Sequence, residues 1–184
     1  GKTTTNNLLC SAIESEGKKL VCNHTGSNML DGVAAAFVLA AKNNGKLDAD
    51  YASIEIDEAS TVRVFPHFKP DYMVLTNLFR DQLDRYGEVT HTLSKLRVGA
   101  QNSPNAVLCL NADDSLITSL HDDVPNPVIF YGISTPLYEE QVSDLSDAPY
   151  CIKCKSEYQY DFVTYGHLGG YRCVIHRHHI HPGE

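Results

Sequence analysis

Five short runs of apolar residues, each ending in a polar cluster, limit what this chain can become. They cover residues 19–23, 51–56, 72–75, 106–110 and 128–131, with helical periodicity between them. Residues 3–16 carry Leu8, Leu9, Ala12 and Ile13 at helical spacing, and Gly17 stands where a helix would end. Residues 29–42 are almost wholly small or apolar from Ala34 to Ala41 and run into Asn43-Asn44-Gly45. Asp57 and Glu58 open a short helix that ends near Pro66, and residues 85–98 put Val89, Leu93 and Leu96 on one helical face. Strands that are apolar throughout and alternate with helices predict an α/β fold, a mostly parallel sheet covered by helices on both faces.

On such sheets ligands bind outside the carboxyl ends of the strands. Asn23-His24, Glu55-Ile56-Asp57, Thr76-Asn77 and Asn111-Ala112-Asp113-Asp114 all fall at those ends and are expected to converge on one rim. The chain opens with Gly1-Lys2-Thr3-Thr4-Thr5 just before the first helix, which reads as the second half of a phosphate loop, GxxxxGK[ST]. In that motif backbone N–H groups wrap phosphates, the lysine reaches the β and γ oxygens, and the hydroxyl after it holds Mg²⁺. The plainer alternative is a threonine-rich helix cap. Glu55, at the end of an apolar strand, is either a Mg²⁺ ligand beside Thr3 or a surface carboxylate. Residues 75–88 concentrate charge that could position metal and an anionic substrate, or form a helix cap with surface ion pairs. Residues 111–114 could read a base and ribose, or form an Asx-type turn that caps the next helix.

At 184 residues the chain is long enough for one good-sized core with a small appendage. A formal charge of −8 disfavours a nucleic-acid binder. With no run of eighteen apolar residues and no basic-then-apolar leader, the chain is expected to be cytoplasmic and not membrane-spanning. Because it starts with glycine inside a motif, it is also expected to be a piece of a longer protein, with the upstream half of the phosphate loop and a C-terminal domain lying elsewhere.

The six cysteines divide by context. Cys10, Cys22 and Cys109 stand alone among apolar neighbours, as small core residues do. After an acidic, serine-rich linker over residues 134–149, Cys151-Ile152-Lys153-Cys154 is separated by eighteen residues from Cys173-Val174-Ile175-His176. Three thiolates and an imidazole make a tetrahedral Zn²⁺ set with no open position, which implies a folding role. His178, His179 and His181 compete with His176 as fourth ligand, and free thiols beside a histidine-rich tail are the alternative. Residues 165–169 look like a tight β-turn, with His167 structural.

With these residues placed, the chain resembles the Mur ligase superfamily in its amidating branch. GKTTTNNLL, IEIDEAS, TNLFRDQLDRYGE, LNADD and the two knuckles around YGHLGGY carry the likeness, which spans essentially the whole chain. The resemblance implies a partial central ATP-binding domain over residues 1–145 and a zinc-ribbon insertion over residues 146–184. It implies ATP-dependent amidation of the D-glutamate α-carboxyl in the stem peptide of lipid II through an acyl phosphate, with ammonia from a GatD-type glutamine amidotransferase subunit. By the same likeness Gly1, Lys2, Thr3 and Thr4 hold the ATP phosphates, Thr3 and Glu55 hold Mg²⁺, Asn111 and Asp113 read the nucleoside, and Asn77 and Asp81 serve catalysis. Cys151, Cys154, Cys173 and His176 hold Zn²⁺. Gln82 stands where many superfamily members have a metal-binding histidine, and His176 where the branch usually has cysteine. An amino-acid-adding ligase without a ribbon, a phosphate-loop kinase and a non-catalytic ATP-binding zinc-ribbon module are the rival readings. Residues 1–184 alone are expected to have little activity.

Overall fold

A computed structural model describes residues 1–23, 27–78, 87–133, 135, 148–166 and 168–175. The chain divides into two compact units, Gly1–Phe68 and Lys69–Glu184.

In the first unit, helix α1 (Lys2–Ser15) leads into strand β1 (Leu20–Cys22), helix α2 (Leu30–Ala40), strand β2 (Tyr51–Ser53), a 3₁₀ turn (Glu58–Ser60) and the short helix α3 (Thr61–Val64). Gly17 ends α1 as expected: its φ is +70°, the left-handed conformation only glycine adopts cheaply, and its N–H reaches the Glu14 carbonyl at 2.9 Å. β1 and β2 pair in parallel from Leu20 opposite Tyr51 to Cys22 opposite Ser53. The expected strand over residues 51–56 stops three residues early, because Glu55 is paired by a side chain. Its N–H donates to Asn23 Oδ1 at 2.8 Å and its carbonyl accepts from Asn23 Nδ2 at 2.7 Å. Cys10 and Cys22 are not isolated: their sulfurs lie 2.7 Å apart, and burial is the main cause that pushes the Cys22 thiol up to about 12.

In the second unit, strand β3 (Tyr72–Leu75), helix α4 (Gly87–Gln101), strand β4 (Val107–Asn111), helix α5 (Ser115–Thr118) and strand β5 (Val128–Tyr131) precede an antiparallel hairpin, β6 (Tyr158–Tyr165) and β7 (Leu168–Cys173). β3, β4 and β5 form one parallel sheet in that order, with Leu75 opposite Leu110 and Leu110 opposite Phe130. Leu108 and Leu110 are wholly excluded from solvent, and Leu93, Leu96, Ala100 and Ile117 are buried with them. Tyr72, Val74 and Ile129 stand on the opposite face and are exposed.

Among the described residues the five parallel strands form two sheets, β1–β2 and β3–β4–β5. Asn23, Glu55 and Asp57 therefore belong to one unit, and Thr76, Asn77, Asn111, Asp113 and Asp114 to the other. Apolar pattern specifies strands but not their partners. Among the described residues no helix is long and apolar enough to cross a membrane.

Candidate functional site

The N-terminus of α1 begins at Gly1, whose carbonyl accepts from Thr5 N–H at 3.1 Å; the first turn carries no acidic residue. Thr3 and Thr4 are exposed. The Lys2 ammonium donates to both Glu58 carboxylate oxygens at 2.8 Å and lies 3.9 Å from Asp57. Asp57 caps the 3₁₀ turn by accepting from Ala59 N–H, as its place at a helix start predicted. Glu55 is buried, and Asn28 Nδ2 donates to its Oε1 at 3.2 Å. That partner is neutral, whereas a buried carboxylate is stabilised best by a cation. The donor chemistry at Glu55 thus suits a hard metal ion.

Sequence reasoning missed the supports of this end. Asn6 is buried, accepts from Ser53 Oγ at 2.8 Å and donates to Cys22 Sγ at 3.4 Å. Beyond its Nδ2 bond to Glu55, Asn28 serves through its main chain, whose carbonyl accepts from Asp57 N–H at 2.8 Å. The only sequence signal was a surplus of asparagines at strand ends and on the first helix, which composition does not separate from ordinary loop residues.

In the second unit the loops after β3 and β4 are tied together by side chains. Asn111 Nδ2 donates to the Thr76 carbonyl at 2.7 Å, and Asn111 Oδ1 accepts from Asp113 N–H at 3.0 Å. Asp114 is fully buried and accepts from three backbone N–H groups: Leu78 at 2.7 Å, Leu116 at 2.9 Å and Ile117 at 3.2 Å. The Asx turn and helix cap open as an alternative for residues 111–114 are thus present. They do not exclude a ligand role for Asn111, since an amide has two donor hydrogens and two lone pairs and each set has one member left. The Asp113 carboxylate accepts from Ile133 N–H at 2.9 and 3.2 Å. Burial raises its carboxyl above the ordinary range; the Ile133 N–H opposes this and the Asp114 charge adds to it. Tyr131 donates to the Leu75 carbonyl at 2.9 Å, and its hydroxyl is pushed up to about 12, chiefly by burial. Asn77 is half-buried beside this network. Asp81 and Gln82 lie outside the described residues.

Among the described residues, the cysteine cluster is the group of ligand atoms close enough together to hold a metal ion. The sulfurs of Cys151, Cys154 and Cys173 all lie within 4.8 Å of one another, and Cys154 is 3.5 Å from Cys173. Thiolates at ordinary zinc–sulfur distance in a tetrahedron stand about 3.8 Å apart, so the three fit one metal ion. The knuckle is closed by Cys151 N–H to the Ser156 carbonyl at 2.8 Å and Lys155 N–H to the Cys151 carbonyl at 2.9 Å. Lys155 takes a φ of +62°, a strained conformation for a residue with a Cβ. His167, His176, His178, His179 and His181, and nearly all of the expected linker, lie outside the described residues.

The chain thus joins a parallel α/β scaffold with polar clusters at its strand ends to a hairpin bearing a cysteine cluster. Residues 1–171 match the profile of the Mur ligase middle domain, and the chain belongs to this family. Within it, the chain is 34% identical over 173 residues to the lipid II isoglutaminyl synthase (glutamine-hydrolyzing) subunit MurT of Staphylococcus aureus (strain COL), covering 94% of this chain and 38% of that protein. It is 32% identical over 174 residues to the same subunit of Streptococcus pneumoniae (strain ATCC BAA-255 / R6), again covering 94% of this chain and 38% of the relative. A UDP-N-acetylmuramoylalanine–D-glutamate ligase of Pelotomaculum thermopropionicum is 31% identical over 141 residues, or 76% of this chain and 29% of the relative. The chain therefore spans well under half the length of these relatives. The fold is shared with a pseudomurein peptide ligase type C from Methanothermus fervidus at a TM-score of 0.71 and 19% identity, over 99% of this chain and 34% of that one.

Proposed function

We propose that this chain is the ATP-binding part of a MurT-like ligase that amidates the D-glutamate α-carboxyl of the lipid II stem peptide. One observation carries the choice among Mur ligases. The likeness to MurT runs over 94% of the chain, and so into the cysteine hairpin, whereas that to the D-glutamate-adding ligase covers 76%.

In this reading ATP phosphorylates the substrate carboxylate, ammonia from a GatD-type glutaminase subunit attacks the acyl carbon, and phosphate leaves with the bonding electrons. Gly1, Thr3 and Thr4 present the α1 N-terminus to the phosphates, and Lys2 exchanges Glu58 for them. Thr3 and Glu55 are the oxygen ligands for Mg²⁺, which neutralises charge on the phosphates when bound. Asn111 and Asp113 take the nucleoside, and Asn77 with Asp81 orients the reacting carboxylate. Cys151, Cys154 and Cys173, with His176 as fourth ligand, hold a structural Zn²⁺. Residues 1–145 then form part of the ATP-binding domain and residues 146–184 its ribbon, in a cytoplasmic protein acting at the inner face of the membrane.

The test is reconstitution of the full-length protein with a GatD-type subunit, ATP, glutamine and lipid II. Phosphate release with conversion of the stem acid to its amide is expected; an unchanged stem-peptide mass would sink the proposal. Addition of an amino acid would favour the glutamate-ligase reading suggested by the D-glutamate-ligase relative, and ATP binding without turnover would favour a non-catalytic module.

A further inference from the structure

The cysteine hairpin is bonded directly to the segment that carries the candidate nucleoside residues. Gly169 N–H, on β7, donates to the Asp113 carbonyl at 3.0 Å. Two residues on, the Tyr171 hydroxyl is hydrogen-bonded to Thr118 Oγ1 at the end of α5. Thr118 Oγ1 also lies 3.1 Å from the carbonyls of Asp114 and Ser115. A threonine hydroxyl has one proton, so if it donates to these carbonyls it accepts from Tyr171. The phenol then heads a relay: Tyr171 O–H to Thr118, and Thr118 O–H to the backbone of the turn. That same turn contains Asp114, whose carboxylate fixes the Leu78, Leu116 and Ile117 N–H groups.

The tyrosine is itself held. Its ring meets Tyr158 at a centroid distance of 5.0 Å and 65°, and Tyr160 at 6.1 Å. Gly169 allows β6 and β7 to approach closely, because a Cβ at this position would stand 2.1 Å from the Phe162 carbonyl oxygen. Side chains of β6 and β7 therefore fix where the Tyr171 hydroxyl and the Gly169 N–H point, and both point into residues 113–118.

We infer that Tyr171 and Gly169 are positioning residues for the Asn111–Asp114 loop, so that the cysteine hairpin sets the affinity of the second unit for the adenine nucleotide. The inference rests on the reading of Asn111 and Asp113 as nucleoside ligands. It is tested on the full-length protein with a non-hydrolysable ATP analogue, by calorimetric titration of Tyr171→Phe, Thr118→Val and the double variant, together with kcat and KM for ATP. Each single change is expected to raise the dissociation constant about three- to tenfold, the loss of one buried hydrogen bond. KM for ATP should rise in step, with kcat nearly unchanged, and the double variant should be no worse than the poorer single. Lower thermal stability with unaltered affinity in both singles would show a merely structural role and overturn the inference. So would independent effects that multiply in the double variant. If Tyr171→Phe does not fold, Thr118→Val decides by the same readout. If the unsubstituted protein binds no analogue, the nucleotide reading falls first and this inference with it.

Discussion

The β3–β4–β5 sheet and the β6–β7 hairpin belong to the same unit but are built from different material. The sheet buries leucines, with Leu108 and Leu110 at its centre, and its strands pair in register without a break. The hairpin has register shifts between Tyr160 and Phe162 and between Val163 and Tyr165, and its base buries the thiols of Cys173, on β7, and of Cys151 before β6. A two-stranded hairpin is marginal in water on its own. Apolar area holds the first region, while the second draws on a cysteine cluster at its base and on its bonds to residues 113–118.

The sharpest way to break this contrast is to remove the zinc proposed for the cysteine cluster. Purified protein should contain about one zinc equivalent per tetrahedral site, and chelation or Cys154→Ser should expose the hairpin to protease while the sheet persists. Hairpin protection that survives complete metal loss would count against a structural ion; the expected loss is several kcal/mol, the largest effect here. Next comes Leu110→Ala, which should cost about 2–5 kcal/mol of unfolding free energy with zinc still bound, as read by urea titration and metal analysis. Zinc loss in parallel would mean that the regions share one source of stability.

A smaller effect concerns acid. The Asp113 carboxyl is raised in the folded state, so the folded chain holds that proton more tightly than the unfolded chain. Its contribution is favourable at low pH and is lost as pH rises from the ordinary carboxylate value through the folded one. Asp113→Asn removes that dependence while keeping an acceptor for Ile133 N–H. Its stability relative to the parent should therefore improve from about pH 3 to about pH 7 in paired urea titrations; a constant difference would contradict the assigned shift. Smallest is Lys155→Gly in the knuckle, which should relieve the left-handed backbone and gain at most about 1 kcal/mol in thermal unfolding.

Much of the scaffold could be read from the sequence, because a buried strand must be apolar and a helix must show its period. All five parallel strands fall in the expected runs, β4 continuing one residue further to Asn111, and Asp114 caps α5 in the way its Asx-turn alternative described. Strand pairing was not legible, since ladder partners are chosen by the whole chain. Nor was the Lys2–Glu58 ion pair, formed across 56 positions of sequence. The turn of the hairpin was legible as a tight β-turn over residues 165–169, but its strands were not placed, although Tyr158-Gln159-Tyr160-Asp161-Phe162 alternates as a half-buried strand does. The candidate ligand roles rest on chemistry and family likeness, which position and polarity narrow but do not assign.

The Asn23 amide closes the β1–β2 ladder with a side chain, donating and accepting toward Glu55 as a peptide group would. Backbone rungs are nearly immune to mutation, because every residue except proline supplies the same N–H and C=O. This rung is not: a single nucleotide change to aspartate would turn its donor into an acceptor facing the Glu55 carbonyl, and spontaneous deamidation would do the same without any change in the gene. The last step of that sheet is thus heritable and perishable in a way the others are not.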